Sequence, residues 1–371
     1  MIDHTTKRAR RLALFLPNLE IGGAERVALA ILQGFLDRGY EVDLVLAHRV
    51  GALLPLVPDG VQVIDLHAPR SRQLIFALVR YLRDRRPYAL QAMMWPLPLL
   101  AIIARALARV DTRIIGSEHT TLSRVPHGLR HRIVRAFTRR VYLKADALVA
   151  VSAGTAADVA TFLGLPPQRI EVIYNPLQLP AILPASDAFA DRWPAGTRRI
   201  LAVGELKAEK NYPLLLRAVA RLRRDMPVSL LILGDGSLLG ELKQHIAASG
   251  LSDTVVLAGF RNDIWPYYTA AELLVFSSDI EGFGNVLVEA MHAGTPVIST
   301  DCPSGPREIL DDGRFGTLVP CGDDAALAQA IASALAREPN RAELRARASQ
   351  LSGHKAIDRH LAVMLGHPPL T

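Results

Sequence analysis

Glu281 and Glu289 are the residues of this 371-residue chain best suited to chemistry. They close the segment Glu281-Gly282-Phe283-Gly284-Asn285-Val286-Leu287-Val288-Glu289, with seven residues between them. Carboxylates accept hydrogen bonds from hydroxyl groups. Gly282 and Gly284 let the backbone approach a ligand closely and take dihedral angles that other residues avoid. A helix starting near Asn285 turns the amides and the positive dipole end of its first turn toward this loop, where phosphate is favoured. The combination suits a molecule with a polyhydroxyl part and a phosphate part. Taken alone, two glutamates at this spacing are usually just solvated. Here the apolar run Leu273-Leu274-Val275-Phe276 precedes them and Thr295-Pro296-Val297-Ile298 follows. The order reads strand, glycine loop, helix, strand. It places the loop at the carboxyl end of its strand, where open α/β sheets hold their ligands.

Other strand ends carry similar signals. Gly204-Glu205-Leu206-Lys207-Ala208-Glu209-Lys210-Asn211 follows an apolar run and precedes a helix from about Tyr212. Gly204 with Lys207 and Lys210 reads as a cradle for a diphosphate, or as a loop with solvated lysines. Gly234-Asp235-Gly236-Ser237 closes another strand; Gly234 and Gly236 alone mark only a tight turn. Gly259-Phe260-Arg261-Asn262 also follows a strand, and Arg261 is equally readable as an exposed loop residue. Near the amino end, Gly22 and Gly23 sit between a strand and a helix. The spacing is not Gly-x-Gly-x-x-Gly, which speaks against a dinucleotide. Gly116-Ser117-Glu118-His119-Thr120 ends a strand too; a lone His119 is usually structural, and Glu118 is the weaker candidate of the two. No Asp-x-Asp stands at a strand end and no His/Cys cluster has metal spacing, so neither a metal nor a cofactor is expected.

The elements that must position these residues alternate along the whole chain. Strands are expected at 12–16, 42–47, 61–66, 89–94, 113–116, 147–151 and 170–173, then at 200–203, 229–233, 254–257, 273–276, 296–299 and 316–319. Helices such as 24–38 lie between them, so the fold class is α/β with helix-covered parallel sheets. The segment 175–199 holds Pro176, Pro180, Pro184 and Pro194 and reads as a linker. The length suits two domains. A hydrophobic content of 50% and an aromatic content of 6% are those of a soluble α/β protein. Two cysteines, Cys302 and Cys321, make no disulfide framework and fit a reducing compartment. The apolar run 12–17 is too short for a secretion signal. The apolar stretch 89–110 is broken by Gln91, Pro96, Pro98 and Arg105, and reads as a strand plus a helix rather than a membrane span.

Charge is unevenly spread. Residues 1–180 hold 24 Lys and Arg against 14 Asp and Glu, a balance of +10, while residues 181–371 hold 19 against 22, a balance of −3. The first half therefore suits an anionic partner. Nucleic acid is disfavoured, because basic residues are not interleaved with aromatics in any known motif. An anionic membrane surface fits better. Arg124, Arg130, His131, Arg132, Arg135, Arg139, Arg140 and Lys144 alternate with Leu129, Ile133, Val134, Phe137, Val141 and Leu143. That is a basic amphipathic helix for a membrane surface, or an arginine-rich solvated face.

The segment from Glu281 through Ser299-Thr300-Asp301-Cys302-Pro303-Ser304-Gly305-Pro306-Arg307-Glu308 closely resembles the donor-binding signature of the retaining glycosyltransferases of family 4. The resemblance spans the chain and is strongest over 200–310. It implies the GT-B fold, two Rossmann-like domains facing across a cleft. An acceptor-side domain would cover 1–175 and a linker 176–199. A nucleotide-sugar domain would cover 200–345, and a tail, 346–371, would end in a helix returning to the first domain. It implies that Glu289 holds the ribose hydroxyls and Glu281 the sugar hydroxyls, with amides of Gly282, Phe283, Gly284, Asn285, Val286 and Leu287 on sugar and phosphate. Lys210 would stabilise the departing diphosphate, bordered by Gly204, Gly234 and Gly236. Phe260 and Arg261 would lie by the base, Gly22 and Gly23 near phosphate and acceptor, and His119 on the donor sugar. Glu205 departs from the pattern, which often has Arg there; Lys207 is placed to substitute for it. The implied donor is a nucleotide diphosphate sugar, UDP-linked, and the acceptor a glycan or lipid-linked saccharide of bacterial surface polysaccharide. The implied location is the cytoplasm, at the inner membrane face. No nucleophile that would explain retention is evident. A non-catalytic sugar-nucleotide-binding subunit and a sugar-nucleotide epimerase are the alternatives; a glycan phosphorylase would need a pyridoxal lysine, for which the sequence offers no support.

Overall fold

A computed structural model of the chain describes residues 10–68, 71–122, 129–185, 189, 192–353 and 355–367. The described residues separate into two compact units. One comprises the chain up to Leu177 together with the stretch from Gly353 onward, and the other is Gln178–Ser352.

The first unit is built on β1 (Arg11–Leu16), β2 (Glu41–Leu46), β3 (Gln62–Asp65), β4 (Ala89–Met93), β5 (Arg113–Glu118), β6 (Ala147–Ala150) and β7 (Ile170–Val172). They form one sheet in the order β3-β2-β1-β4-β5-β6-β7, and every pairing is parallel. A parallel sheet covered on both faces needs strands that are apolar throughout. β1 from Leu12 onward meets that need, and so does β4 apart from the buried Gln91: Leu12, Leu14, Phe15, Leu16, Ala89, Leu90 and Met93 are fully buried. The second unit is built on β8 (Arg198–Val203), β9 (Val228–Leu233), β10 (Val255–Gly259), β11 (Leu273–Phe276), β12 (Val297–Thr300) and β13 (Thr317–Val319). Its order is β10-β9-β8-β11-β12-β13, again all parallel.

Strand order reverses between β1 and β4 in the first sheet and between β8 and β11 in the second. At such a switch point the loops leaving two neighbouring strands diverge to opposite faces and leave a crevice at the carboxyl ends. In the second unit those are the loops that start at Gly204 and Ser277.

Every expected strand is present, with ends displaced by no more than two residues. One displacement of two residues matters: β5 runs on to Glu118, so His119 stands directly at its end. The segment 89–110 is the strand β4 followed by the helix Leu97–Ala108, with Pro98 in its first turn. Among the described residues, no helix is long and apolar enough to cross a membrane. The helix Arg341–Leu351 packs on the helix Asn285–Ala293 in the second unit. The final helix, Ala356–Leu365, packs on the helix Gly23–Asp37 and on β4 and β5 of the first. Ile357 is so close to Gly34 that a Cβ there would stand 2.6 Å from its Cγ2. Trp193, within the proline-rich stretch, is buried and donates its indole N–H to the Ile200 carbonyl at 3.1 Å. Arg124 lies outside the described residues, as do the side chains of Arg130, His131, Arg132 and Ile133. Arg135, Arg139 and Arg140 are on the helix Leu129–Tyr142, with Val134 46% and Phe137 52% exposed beside them.

Candidate functional site

The switch point of the second sheet gathers most of the residues singled out from sequence. Two loops meet there. The one after β8 runs from Gly204 through Lys210 to Asn211, the N-cap of the helix Tyr212–Leu222. The one after β11 runs from Ser277 to Gly284, the N-cap of the helix Asn285–Ala293. They are stitched together along the main chain. The Asp279 N–H donates to the Glu209 carbonyl at 2.8 Å. The Ser277 hydroxyl donates to the Lys210 carbonyl at 2.8 Å, and the Asn211 amide donates to the Asp279 carboxylate at 3.0 Å. Above this seam the Lys210 ammonium pairs with the Glu281 carboxylate, both side chains less than a fifth exposed at 17% and 14%. The Phe276 ring supports the ammonium 5.0 Å from its centroid. An ion pair this enclosed is screened far less than a surface one.

Glycines allow the loops to close in. The Tyr212 hydroxyl donates to the Gly204 carbonyl at 2.9 Å. Gly234 lies against the same carbonyl, so a Cβ there would come within 1.9 Å of its oxygen. Gly236 lies as tightly on Leu206, whose carbonyl a Cβ would meet at 2.6 Å. Gly284 takes φ +109°, in the region that favours glycine, and starts the helix without a side-chain cap. Phe283 and Leu287 are buried side chains, so only their main chain can face a ligand. Asn285 and Val286 are partly exposed in the first turn.

Glu289 lies one turn into that helix and accepts a hydrogen bond from the Tyr268 hydroxyl at 2.7 Å. Tyr268 is itself buried, with its carbonyl held by the Thr295 hydroxyl at 2.6 Å. The carboxylate is therefore oriented from behind. The Arg261 guanidinium folds back on its own loop, donating to the Tyr267 hydroxyl at 3.2 Å and to the Phe260 carbonyl at 3.0 Å. Lys207 sits 3.0 Å from the Glu205 carboxylate, and both are about 40% exposed. Burial alone would lower the Lys207 pKa; Glu205, with Glu209 and Glu281 further off, outweighs it and holds the pKa above the ordinary value.

The first unit presents a different cluster at the ends of β4 and β5. The His119 imidazole lies 3.1 Å from the Ser117 hydroxyl. Burial lowers its pKa from 6.5 to about 4, so it is neutral at physiological pH. Behind it, Glu118 is 1% exposed and accepts from the Tyr142 hydroxyl at 2.7 Å. Burial raises its pKa to about 7, against the opposing pull of the Tyr142 bond and the Trp95 amide. Its Oε2 is buried and has no hydrogen-bond partner among the described residues. His360, carried in by the final helix, is 3.2 Å from the Gln91 amide oxygen. Its pKa falls to about 3 through burial, then through His119 and Arg359. Gly22 caps the helix Gly23–Asp37, and a Cβ on it would strike the Glu25 carboxylate at 2.0 Å.

The structure thus brings Glu281, Lys210, Gly204, Gly234, Gly236 and the 282–287 turn to one sheet edge. Gly22, Gly23 and His119 belong to the other unit. Residues that sequence alone did not single out are Tyr268, Tyr212, Asn211, Ser277 and Asp279 in the second unit, and Gln91, Tyr142 and His360 in the first. Asn211 carries a local signal as a helix N-cap, its side chain accepting from the Leu214 N–H; most of the others matter through a partner well along the chain.

Comparison with known proteins places this geometry. The model of "Glycosyltransferase Family 4" matches residues 21–179, and that of "Glycosyl transferases group 1" matches residues 186–351. The chain is 29% identical over 357 residues to a Campylobacter jejuni protein, covering 91% of this chain and 95% of that one. That relative is an N-acetylgalactosamine-N,N'-diacetylbacillosaminyl-diphospho-undecaprenol 4-alpha-N-acetylgalactosaminyltransferase. Among solved structures, Anabaena HepE in complex with UDP and glucose superposes with a TM-score of 0.79 at 22% identity, covering 96% of this chain and 99% of that one. The lipopolysaccharide outer core galactosyltransferase WaaB superposes with a TM-score of 0.73 at 19% identity, covering 96% and 99%. At such identities the likeness shows the GT-B fold. With the two models matching all of residues 21–351 except 180–185, the chain belongs to glycosyltransferase family 4 and is a glycosyltransferase.

Proposed function

We infer that this enzyme moves a hexose or N-acetylhexosamine from a UDP-linked sugar to a lipid-linked saccharide, with retention of configuration, during assembly of a bacterial surface polysaccharide. The observation that carries the reading is the Lys210–Glu281 pair at the β8/β11 switch point, beside the start of the helix Asn285–Ala293. It sets a cation and a hydroxyl acceptor side by side where a helix N-terminus favours phosphate. The Campylobacter relative acts, by its name, on an undecaprenyl diphosphate saccharide, and HepE was crystallised with UDP and glucose.

In this reading Glu289, aligned by Tyr268, accepts the ribose hydroxyls, and Glu281 accepts sugar hydroxyls once the diphosphate takes Lys210. Lys210, Lys207 and the main-chain amides of the 282–287 turn then face charge that grows on the leaving diphosphate. Such electrostatic stabilisation is usually the largest catalytic contribution. Gly204, Gly234 and Gly236 let the diphosphate lie against backbone. Phe260 and Arg261 border the base. Within the first unit, His119 is a neutral hydrogen-bonding group suited to sugar hydroxyls, and Gly22 and Gly23 open a helix whose N-terminus suits an anion. The test is a panel of nucleotide sugars in thermal unfolding, followed by transfer to undecaprenyl diphosphate saccharides. A ligand that binds only the folded state raises its stability. Stabilisation by a UDP-sugar and transfer of that sugar are expected; stabilisation by no nucleotide sugar would refute the donor class.

The acceptor's lipid implies work at a membrane surface. Arg135, Arg139, Arg140 and Lys144, among the exposed Val134, Phe137 and Leu143, support peripheral binding at the cytoplasmic face. Each basic side chain near an anionic surface adds about 1 kcal/mol, screened by salt. Co-sedimentation with anionic vesicles should therefore fall when Arg135, Arg139 and Arg140 become Gln. Equal sedimentation of the two proteins would make the helix an ordinary solvated face.

A further inference from the structure

The loop after β8 carries two lysines, and each is already matched to a carboxylate: Lys210 to Glu281, and Lys207 to Glu205 at 3.0 Å. The two pairs differ in how firmly they are held. Lys210 and Glu281 are enclosed and backed by Phe276. Lys207 and Glu205 are half-exposed neighbours on one loop, and a pair this open to water contributes less than an enclosed one. Lys207 can therefore trade its carboxylate for another anion at small cost, whereas the loop beneath cannot follow. The Leu206 N–H donates to the Asp235 carbonyl at 2.9 Å, and the Leu238 N–H donates to the Leu206 carbonyl at 3.0 Å. Gly204 is held by Tyr212 and packed upon by Gly234. Both side chains project from a fixed platform, and the carboxylate of one occupies the place beside the cation that an incoming phosphate would take.

We propose that Glu205 tunes donor affinity: it competes with the donor's diphosphate for Lys207, weakening the hold on the nucleoside diphosphate and easing its release. This rests on the reading of the loop as the diphosphate cradle. The experiment is calorimetric measurement of the affinity for UDP and for inorganic pyrophosphate at fixed ionic strength. It compares the wild type with Glu205→Gln, Lys207→Ala, the double variant and Lys210→Ala. Glu205→Gln should tighten both ligands on the order of threefold, Lys207→Ala should weaken them, and Glu205→Gln should lose its effect when Lys207 is absent. Unchanged affinity in Glu205→Gln would overturn the proposal. So would equal tightening with and without Lys207, which would mean simple repulsion at a distance. Lys210→Ala tells the two failures apart. If it weakens binding while Glu205→Gln does nothing, only the Glu205 assignment falls; if it changes nothing, the cradle itself is wrong and the assignment falls with it.

Discussion

The two units solve the same architectural problem with opposite electrostatics. Each places its candidate residues at the carboxyl edge of a parallel sheet, close to the reversal of strand order. The second unit fills that edge with ions in pairs, Lys210 with Glu281 and Lys207 with Glu205, partly open to water. The first fills it with groups whose charged forms burial disfavours: His119 and His360 with lowered pKa values, and Glu118 raised to about 7. A site that must receive a charged diphosphate gains from cations whose partners can be exchanged. A site that touches only neutral sugar hydroxyls gains from uncharged hydrogen-bonding groups, which cost less to bury. The first edge should therefore answer to pH and the second to anions and salt.

The sharpest way to break that contrast is Lys210→Ala. Removing a charge that meets the transition state costs on the order of a hundredfold to a thousandfold in kcat. The donor KM should move much less, because the charge on the diphosphate grows as it leaves. Steady-state kinetics decides: a large rise in KM with normal kcat would make Lys210 a ground-state anchor only.

Glu118→Gln tests the neutral edge. The folded pKa of Glu118 lies above its ordinary value of 4.5, so between about pH 4.5 and 7 the folded protein keeps a proton that the unfolded chain has lost. Its contribution is present below that window and is lost as pH rises through it. His119 and His360 act in reverse: their contribution is present above pH 6.5 and fades as pH falls toward about 4 and 3. The variant should therefore match the wild type near pH 4.5 and gain on the order of 3 kcal/mol well above pH 7. Denaturant unfolding at several pH values is the measurement, and a gain of equal size at pH 5 and pH 8 would mean that Glu118 is not protonated in the fold.

Glu289→Ala should weaken donor binding about tenfold to a hundredfold, the range expected for a lost hydrogen bond to a charged group, with the fold intact. Calorimetry on the donor checks this; unchanged affinity would remove Glu289 from the ribose. The smallest effect is expected from chelation. Lysines and a helix N-terminus supply the positive charge at the second edge, so transfer should persist in excess EDTA. Loss of activity that magnesium or manganese restores would show that the paired ions are not sufficient.

Much of this molecule was legible in its residues. Strands that are apolar throughout, glycines after them and the helix-starting turns are local properties, set by side-chain period and backbone freedom within a few residues. The α/β alternation, the parallel sheets and the loops around Gly204, Gly234 and Gly284 were read at that level, as was the Glu281-to-Glu289 segment. The boundaries were less legible: nothing around Ser117 or Glu118 says that β5 continues to them, since that depends on pairing with Ser117↔Val149 and Glu118↔Ala150 of β6.

What only the tertiary structure decided is which groups meet and which of them are charged. Lys210 and Glu281 are 71 residues apart in sequence, Gln91 and His360 269 apart. Their meeting follows from the strand order that makes β8 the neighbour of β11, and from the final helix lying across β4 and β5. Ionisation followed from the same cause. Glu118 is an ordinary glutamate by sequence, yet it is sealed beneath Tyr142, and burial raises its pKa to about 7. Sequence determines the acid; the depth of burial and the nearest charge determine whether it keeps its proton.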